Sequence, residues 1–164
     1  MSKIKERRGF ADYINVATTG GKEEYALMGA GFTELDEKPA AKTSSKRYVN
    51  EKSETKRIIG YDWSTSYTLD QIREDKAVDF ICNIGEQQLT GADCETSYVR
   101  VDLDKPVPEN DGSYEARLHK VAVEVAEFSN SDGEMTGSGN LLGVGDVVIG
   151  TFDVKAKTFT AKNS

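Results

Sequence analysis

Apolar and polar residues alternate most clearly over "TKRIIGYDWSTSYTL", residues 55 to 69. There Ile59, Tyr61, Trp63, Tyr67 and Leu69 fall on odd positions and Lys56, Asp62, Ser64, Ser66 and Thr68 on even ones. Period two over that length predicts a half-buried strand, and Gly60 within it marks a bulge or a close neighbour. The pattern then changes. In "DQIREDKAVDFICNIG", residues 70 to 85, Ala77, Phe80, Ile81 and Ile84 recur at helical spacing. One apolar stripe on a helix follows, with Asp70 or Asp75 as N-cap and Gly85 as the left-handed residue that ends it.

Strand patterns dominate the remainder. "SYVRVDL" (97 to 103) sets Val99, Val101 and Leu103 against Tyr98, Arg100 and Asp102, and "DKPVPENDG" after it reads as a turn. "SYEARLHKVAVEVAEF" (113 to 128) carries its small and apolar residues on even positions up to Leu118, then on odd Val121, Val123 and Val125. Such a phase slip predicts a bulge, or a strand that passes from one sheet to another. "GEMTGSGNLLGVGDVVIGTFDV" and "KTFTAK" supply two or three more strands. "DYINVA" and "EYALMGAGFTEL" read as strands joined at Gly20 and Gly21. "TSSKRYVNE" and "SETKRII" carry β-formers but little apolar material, so they predict a long hairpin turning at "NEKS" and projecting from the body. The fold class expected is mainly β: a β-barrel or sandwich with one flanking α-helix, a projecting hairpin (38–57) and extended terminal arms (1–12 and 155–164).

Length adds that one domain is enough, since 164 residues bury a substantial core without staples. With 37% apolar and 30% charged residues that core is thin. No run of 18 apolar residues predicts a membrane span, and the basic N-terminus lacks the apolar stretch of a signal peptide. Cys82 and Cys94 are expected to be reduced.

Charge changes the picture more. The chain carries −7 overall, yet residues 38 to 60 hold seven Lys or Arg against two Glu, while residues 58 to 154 hold 6 bases against 19 acids. An acidic body between basic ends disfavours binding to nucleic acid, because most of the surface repels a polyanion. It suits a chain that complements a copy of itself.

Catalytic chemistry finds little support. His119 is the only histidine, and a lone histidine within a strand pattern is structural more often than nucleophile-activating. Two cysteines twelve residues apart lack zinc-site spacing, and "DLD" (102 to 104) and "NSDGE" (130 to 134) lack that of an EF-hand. "GSGNLLGVG" lacks the strand–helix setting of a phosphate cradle, and acid pairs such as Glu124 and Glu127 are expected by number alone in an acidic chain. No enzyme activity, cofactor or metal is expected.

The order of elements resembles the major tail tube proteins of long, non-contractile phage tails. The resemblance runs from "EYALMGAGFTELDEKPAAKTSSKRYVN" through "TKRIIGYDWSTSYTLDQI" and "KAVDFICNIGEQQLTG" to "DGEMTGSGN" and "GDVVIGTFD". It implies a structural virion protein that forms six-membered rings stacked into a tube, assembled in the host cytoplasm and ending in the virion tail. Its partners would be further copies of itself, a tape measure and a terminator, with phage DNA passing through the lumen unbound. The hairpin would contact the next ring through Lys46, Arg47, Lys56 and Arg57, and Glu124, Glu127 and Glu134 would line an acidic lumen. Two alternatives stand beside it. One is the inner tube of a contractile tail or secretion injector. The other is a monomeric β-barrel that binds a small ligand between Trp63, Tyr61 and Tyr67.

Overall fold

Eleven strands and one α-helix lie within residues 3–17 and 23–162, the parts of the chain that the computed structural model describes. In chain order they are β1 (Phe10–Asn15), β2 (Tyr25–Leu27), β3 (Phe32–Lys38), β4 (Ala41–Lys46), β5 (Thr55–Tyr61), β6 (Ser64–Asp70), α1 (Lys76–Gln87), β7 (Glu95–Pro106), β8 (Ser113–Ser131), β9 (Glu134–Gly143), β10 (Val148–Asp153) and β11 (Thr158–Ala161). The chain is mainly β with one helix against a large antiparallel sheet, as the alternation predicted. The turn expected at Gly20 and Gly21 lies outside the described residues.

The sheet runs β2-β1-β7-β8-β9-β6-β3, and β10 and β11 branch from it at β8. The long strand β8 explains the branch. Residues Ser113–Leu118 pair with β10 along one edge, and on that same edge Val121–Ser131 pair with β9. The partner exchange falls where the apolar phase slips, so the slip marks where β8 changes neighbours from β10 to β9 within the one sheet. A bulge is also present, displaced to Val125/Glu127.

The exchange along β8 creates two cores, one on each side of β1, β7 and β8. On one side Tyr13 and Tyr25 meet Phe152 from β10, at ring-centroid distances of 4.5 and 5.6 Å, around buried Val99, Val101 and Ala116. On the other, Ile14, Tyr98, Val121 and Val123 face Leu35, Tyr67, Leu69 and Leu141, and α1 closes the gap with Ala77, Val78, Ile81, Cys82 and Ile84. Each fully buried large apolar side chain contributes about 1.5–3 kcal/mol, so two modest cores suffice for a thin-walled domain. Burial on both sides also corrects the reading of residues 97 to 103. Tyr98 and Arg100, placed on a polar face by the alternation, are as buried as Val99 and Val101.

The helix contains the whole predicted stripe and uses the second of the two expected N-caps. It starts at Asp75, whose Oδ1 accepts from the Ala77 and Val78 amides, so residues 70 to 74 form a connection instead. Gly85 does not end it. Gln88 adopts the left-handed conformation (φ 51°), while Gly85 sits inside the helix where a Cβ would lie 2.6 Å from Val125 Cγ1 and 2.8 Å from Phe128 Cζ. The glycine is there so that α1 can approach β8.

Residues 55 to 69 are two strands, not one. A break at Asp62 and Trp63 separates β5, which belongs to the β4–β5 hairpin, from β6, which belongs to the main sheet. Tyr67 and Leu69 are buried as expected, but Ile59 and Tyr61 are exposed because they stand on the hairpin. Among the described residues that hairpin shares no strand pairing with the body; it turns over residues 47–54 and has a register shift opposite Gly60 where a bulge was expected. At the ends, Phe10–Asn15 enter the sheet as β1, and Thr158–Ala161 pair with β10. Among the described residues, 3–9 precede the strands at the N-terminus, where Lys5 bridges Asp102 and Asp104.

Candidate assembly surface and its buried anchor

Strand pairing places Asp12, Arg100 and Arg117 side by side across β1, β7 and β8, on the face that looks toward β3 and β6. Charged groups on an inward face must be paired, and these are. Arg100 Nε donates to Asp12 Oδ1 at 2.9 Å, and its Nη2 donates to the Leu35 carbonyl at 3.1 Å. Tyr98 Oη donates to Asp12 Oδ1 at 2.8 Å, and Arg7 caps the other carboxylate oxygen from the N-terminal side. Arg117 holds Glu37 through both carboxylate oxygens, at 3.0 and 3.1 Å. Trp63 Nε1 donates to the same Glu37 at 2.8 Å, and His119 stacks on the Trp63 ring at 3.7 Å.

Glu37 lies one residue before the end of β3 and Trp63 one residue before the start of β6, so they are the two roots of the β4–β5 hairpin. The network therefore grips the hairpin where both limbs leave the body. Burial alone would raise the Glu37 pKa, but the Trp63 N–H and Arg117 outweigh it and hold the carboxylate below its ordinary value. His119 goes the other way. Burial, against the pull of Glu37 and reinforced by Arg117 and Arg100, pushes it down to about 4, and its Nε2 has no hydrogen-bond partner.

That shift carries a stability consequence. An unfolded histidine titrates near pH 6.5, so between ~6.5 and ~4 the unfolded chain binds the extra proton. The stabilisation from neutral His119 is complete above about pH 6.5, declines as pH falls, and is exhausted near pH 4. Denaturant titrations from pH 7 to 4 should show a loss of roughly 2–3 kcal/mol at ~1.4 kcal/mol per pKa unit. His119→Phe, which keeps the ring stack, should flatten that slope; an unchanged slope would assign it to other groups.

The hairpin presents the basic residues expected of it. Lys46, Arg47, Lys56 and Arg57 are all exposed. Register places Lys46 opposite Thr55, Ser45 opposite Lys56 and Ser44 opposite Arg57, so bases project from both faces. Val49 is fully exposed, and Tyr48, Ile58, Ile59 and Tyr61 are at least half exposed. This is unusual apolar area for a two-stranded ribbon.

Glu124, Glu127 and Glu134, separated in sequence by up to ten positions, come together on the outward face of the subsheet β8-β9-β6-β3. Glu124 stands opposite Asn140, Glu127 opposite Ser138, and Glu134 opposite Ser131. Ser66, Thr68 and Asp70 continue the face on β6, then Glu34, Asp36 and Lys38 on β3. Asn140 Nδ2 donates to Glu124 at 2.8 Å and the Thr68 hydroxyl to Glu34 at 2.9 Å; the latter holds Glu34 below the usual carboxylate range. The wall is acidic and rich in hydroxyls, and Leu142, opposite Ser64, stands exposed on it at the end where the hairpin leaves. A Cβ on Gly139 behind it would collide with the Glu124 carbonyl, so the glycine lets β8 and β9 close at the bulge.

Both borders of this four-stranded wall lack strand partners among the described residues. β3 pairs with β6 alone, and beyond Ala122 the outer edge of β8 is left by β7, which pairs only as far as Glu95. Three antiparallel steps separate β3 from β8, so the two borders run in opposite directions.

The aromatic trio proposed for a ligand pocket does not converge. Tyr67 is buried in the core with its hydroxyl on the Glu124 carbonyl, Trp63 stacks on His119, and Tyr61 is exposed on the hairpin. A groove of about 740 Å³ between β7, β8 and the β10–β11 hairpin includes none of the three. Sequence reasoning missed the buried network, although charged Asp12, Arg100 and Arg117 interrupting strand patterns were its visible signal. No protein-family model matches the chain, and a search of curated proteins finds no significant relative.

Proposed function

We propose that this chain is a structural subunit that closes into rings and stacks into a tube, acting as the tail tube of a phage with a long tail and as a conduit for its DNA. The observation that carries the reading is the four-stranded wall with two unpaired, oppositely directed borders. Rotation of copies about an axis along the strands sets β3 of one beside β8 of the next in antiparallel orientation, and repeats without leaving an edge. Unpaired borders in a monomer invite aggregation, and ring closure satisfies them.

The wall that faces the axis then carries Glu34, Asp36, Asp70, Glu124, Glu127 and Glu134 against Lys38. A negative lumen repels phosphate, so DNA moves through without counterion release holding it to the surface. The outward positions of the wall's strands hold no aromatic ring among the described residues, which removes base stacking as a second cause of sticking. Tape measure and terminator proteins are the further partners this reading requires.

Negative-stain microscopy and light scattering of the purified protein at rising concentration test the proposal. Rings or tubes with a central channel are the expected result. A monomer whose mass does not change with concentration would overturn it.

A further inference from the structure

Two Asp–Gly pairs stand in turns of this chain, Asp111–Gly112 between β7 and β8 and Asp132–Gly133 between β8 and β9. In such a pair the glycine nitrogen can attack the preceding side-chain carboxyl, because glycine has no side chain to hinder the approach. Both aspartates are exposed, and both glycines have positive φ, 88° and 89°. Sequence and exposure therefore do not separate the two sites. Hydrogen bonding does.

The Gly133 N–H, the nucleophile at the second site, donates to Asn130 Oδ1 at 2.8 Å. Asp132 (φ 52°) and Gly133 form a two-residue hairpin turn, and the ladder is intact up to it, with Ser131 opposite Glu134 and Asn130 opposite Met135. The Asp111 turn is held differently. Ser113 N–H donates to the Asn110 carbonyl at 3.1 Å, and Val154 N–H donates to the Gly112 carbonyl at 3.0 Å. Both bonds use carbonyls of the turn, and the Gly112 N–H has no acceptor among the described residues. Nor is the ladder behind it continuous, since the β7–β8 register jumps from Val101 to Pro106. A turn on a broken ladder opens at lower cost than one closed by paired strands. Lys155 lies 3.8 Å from Asp111, but both side chains are largely exposed, so the pair does little to fix the carboxyl.

We infer that Asp111 is a site of spontaneous backbone isomerisation to isoaspartate, and that Asp132 is protected from it. The Gly112 nitrogen attacks Cγ of the protonated Asp111 carboxyl and forms a C–N bond. It gives up its proton as a carboxyl oxygen leaves as water, and a five-membered succinimide results. Water then adds to one of the two ring carbonyls and opens the ring. Addition at Cγ restores aspartate. Addition at the α-carbonyl leaves the main chain running through Cβ and Cγ, one methylene longer, with a free α-carboxylate that an isoaspartyl-specific carboxyl methyltransferase takes as substrate. One water leaves and one returns, and nothing is oxidised or reduced. The longer backbone no longer fits the turn from Asn110 to Ser113 and draws the Gly112 carbonyl away from Val154, so the end of β10 loses its tie to the β7–β8 turn.

Peptide mapping of the folded protein after prolonged incubation at neutral pH and physiological temperature tests it, with isoaspartate scored by the methyltransferase and by backbone fragment ions. Isoaspartate at 111 should exceed that at 132 by about tenfold, the scale set by the hydrogen bond that Gly133 must first give up. In chain held unfolded by denaturant the two sites should react alike, since neither turn then exists. Asn130→Ala frees the Gly133 N–H and should raise the yield at 132 several-fold while leaving 111 unchanged. Comparable yields at the two sites in the folded protein, no isoaspartate at 111, or no response of 132 to Asn130→Ala would each overturn the assignment.

Discussion

Arg100→Met should lower the free energy of unfolding by about 3–5 kcal/mol, the cost typical of removing one partner from a buried ion pair. The Asp12 carboxylate is wholly inaccessible and Arg100 is 7% exposed, so neither can turn to water when the other is lost. Arg7 remains on Asp12 from its half-exposed position and limits the damage. The Leu35 carbonyl also loses its donor. Trp63 is the only tryptophan and sits beside the network, so its fluorescence in a denaturant titration reports the effect directly. Adding Asp12→Asn to Arg100→Met should recover a large part of the loss, because the uncompensated charge is then gone. Equal stability of wild type and Arg100→Met would show that water reaches Asp12.

Glu37→Met should cost a similar ~3–5 kcal/mol by the same logic, and it should do something Arg100→Met does not. Glu37 is the common acceptor of Trp63 Nε1 and of both Arg117 nitrogens, and it joins the last turn of chain before the hairpin to the first residues after it. Without it, the Trp63 N–H and the Arg117 guanidinium lose their partner and the two roots are no longer tied together. Limited proteolysis should then cut within residues 39 to 62 at a rate several-fold above that of Arg100→Met brought to equal global stability. Equal cutting of the two variants would separate the hairpin's orientation from the network. The distinction matters for assembly, since a ribbon with no strand pairing to the body is aimed only by its roots.

Much of the fold was legible because alternation responds to one-sided burial, and most strands here are buried on one side. Residues 64 to 70 read correctly for that reason, as did the helix stripe from Ala77 to Ile84. Tyr98 and Arg100 misled because β7 is covered on both faces, and a sequence cannot show that the second cover is a carboxylate rather than solvent. Residues 55 to 61 misled in the opposite sense. Their alternation matches that of a strand with a core face, yet no core lies beneath them, and their apolar side chains stand exposed instead.

The amino-acid sequence by itself determined the strand-rich class, the single helix, the segregation of charge and the projecting basic hairpin, because each depends on side chains within a few positions of one another. Only the tertiary structure decided that Asp12, Glu37, Arg100, Arg117 and His119 meet, that six acids from four strands share one wall, and that this wall has two open borders. Those facts depend on pairings between residues up to 88 positions apart, as in Asp12 and Arg100. Register and topology set such pairings, and no local pattern encodes them.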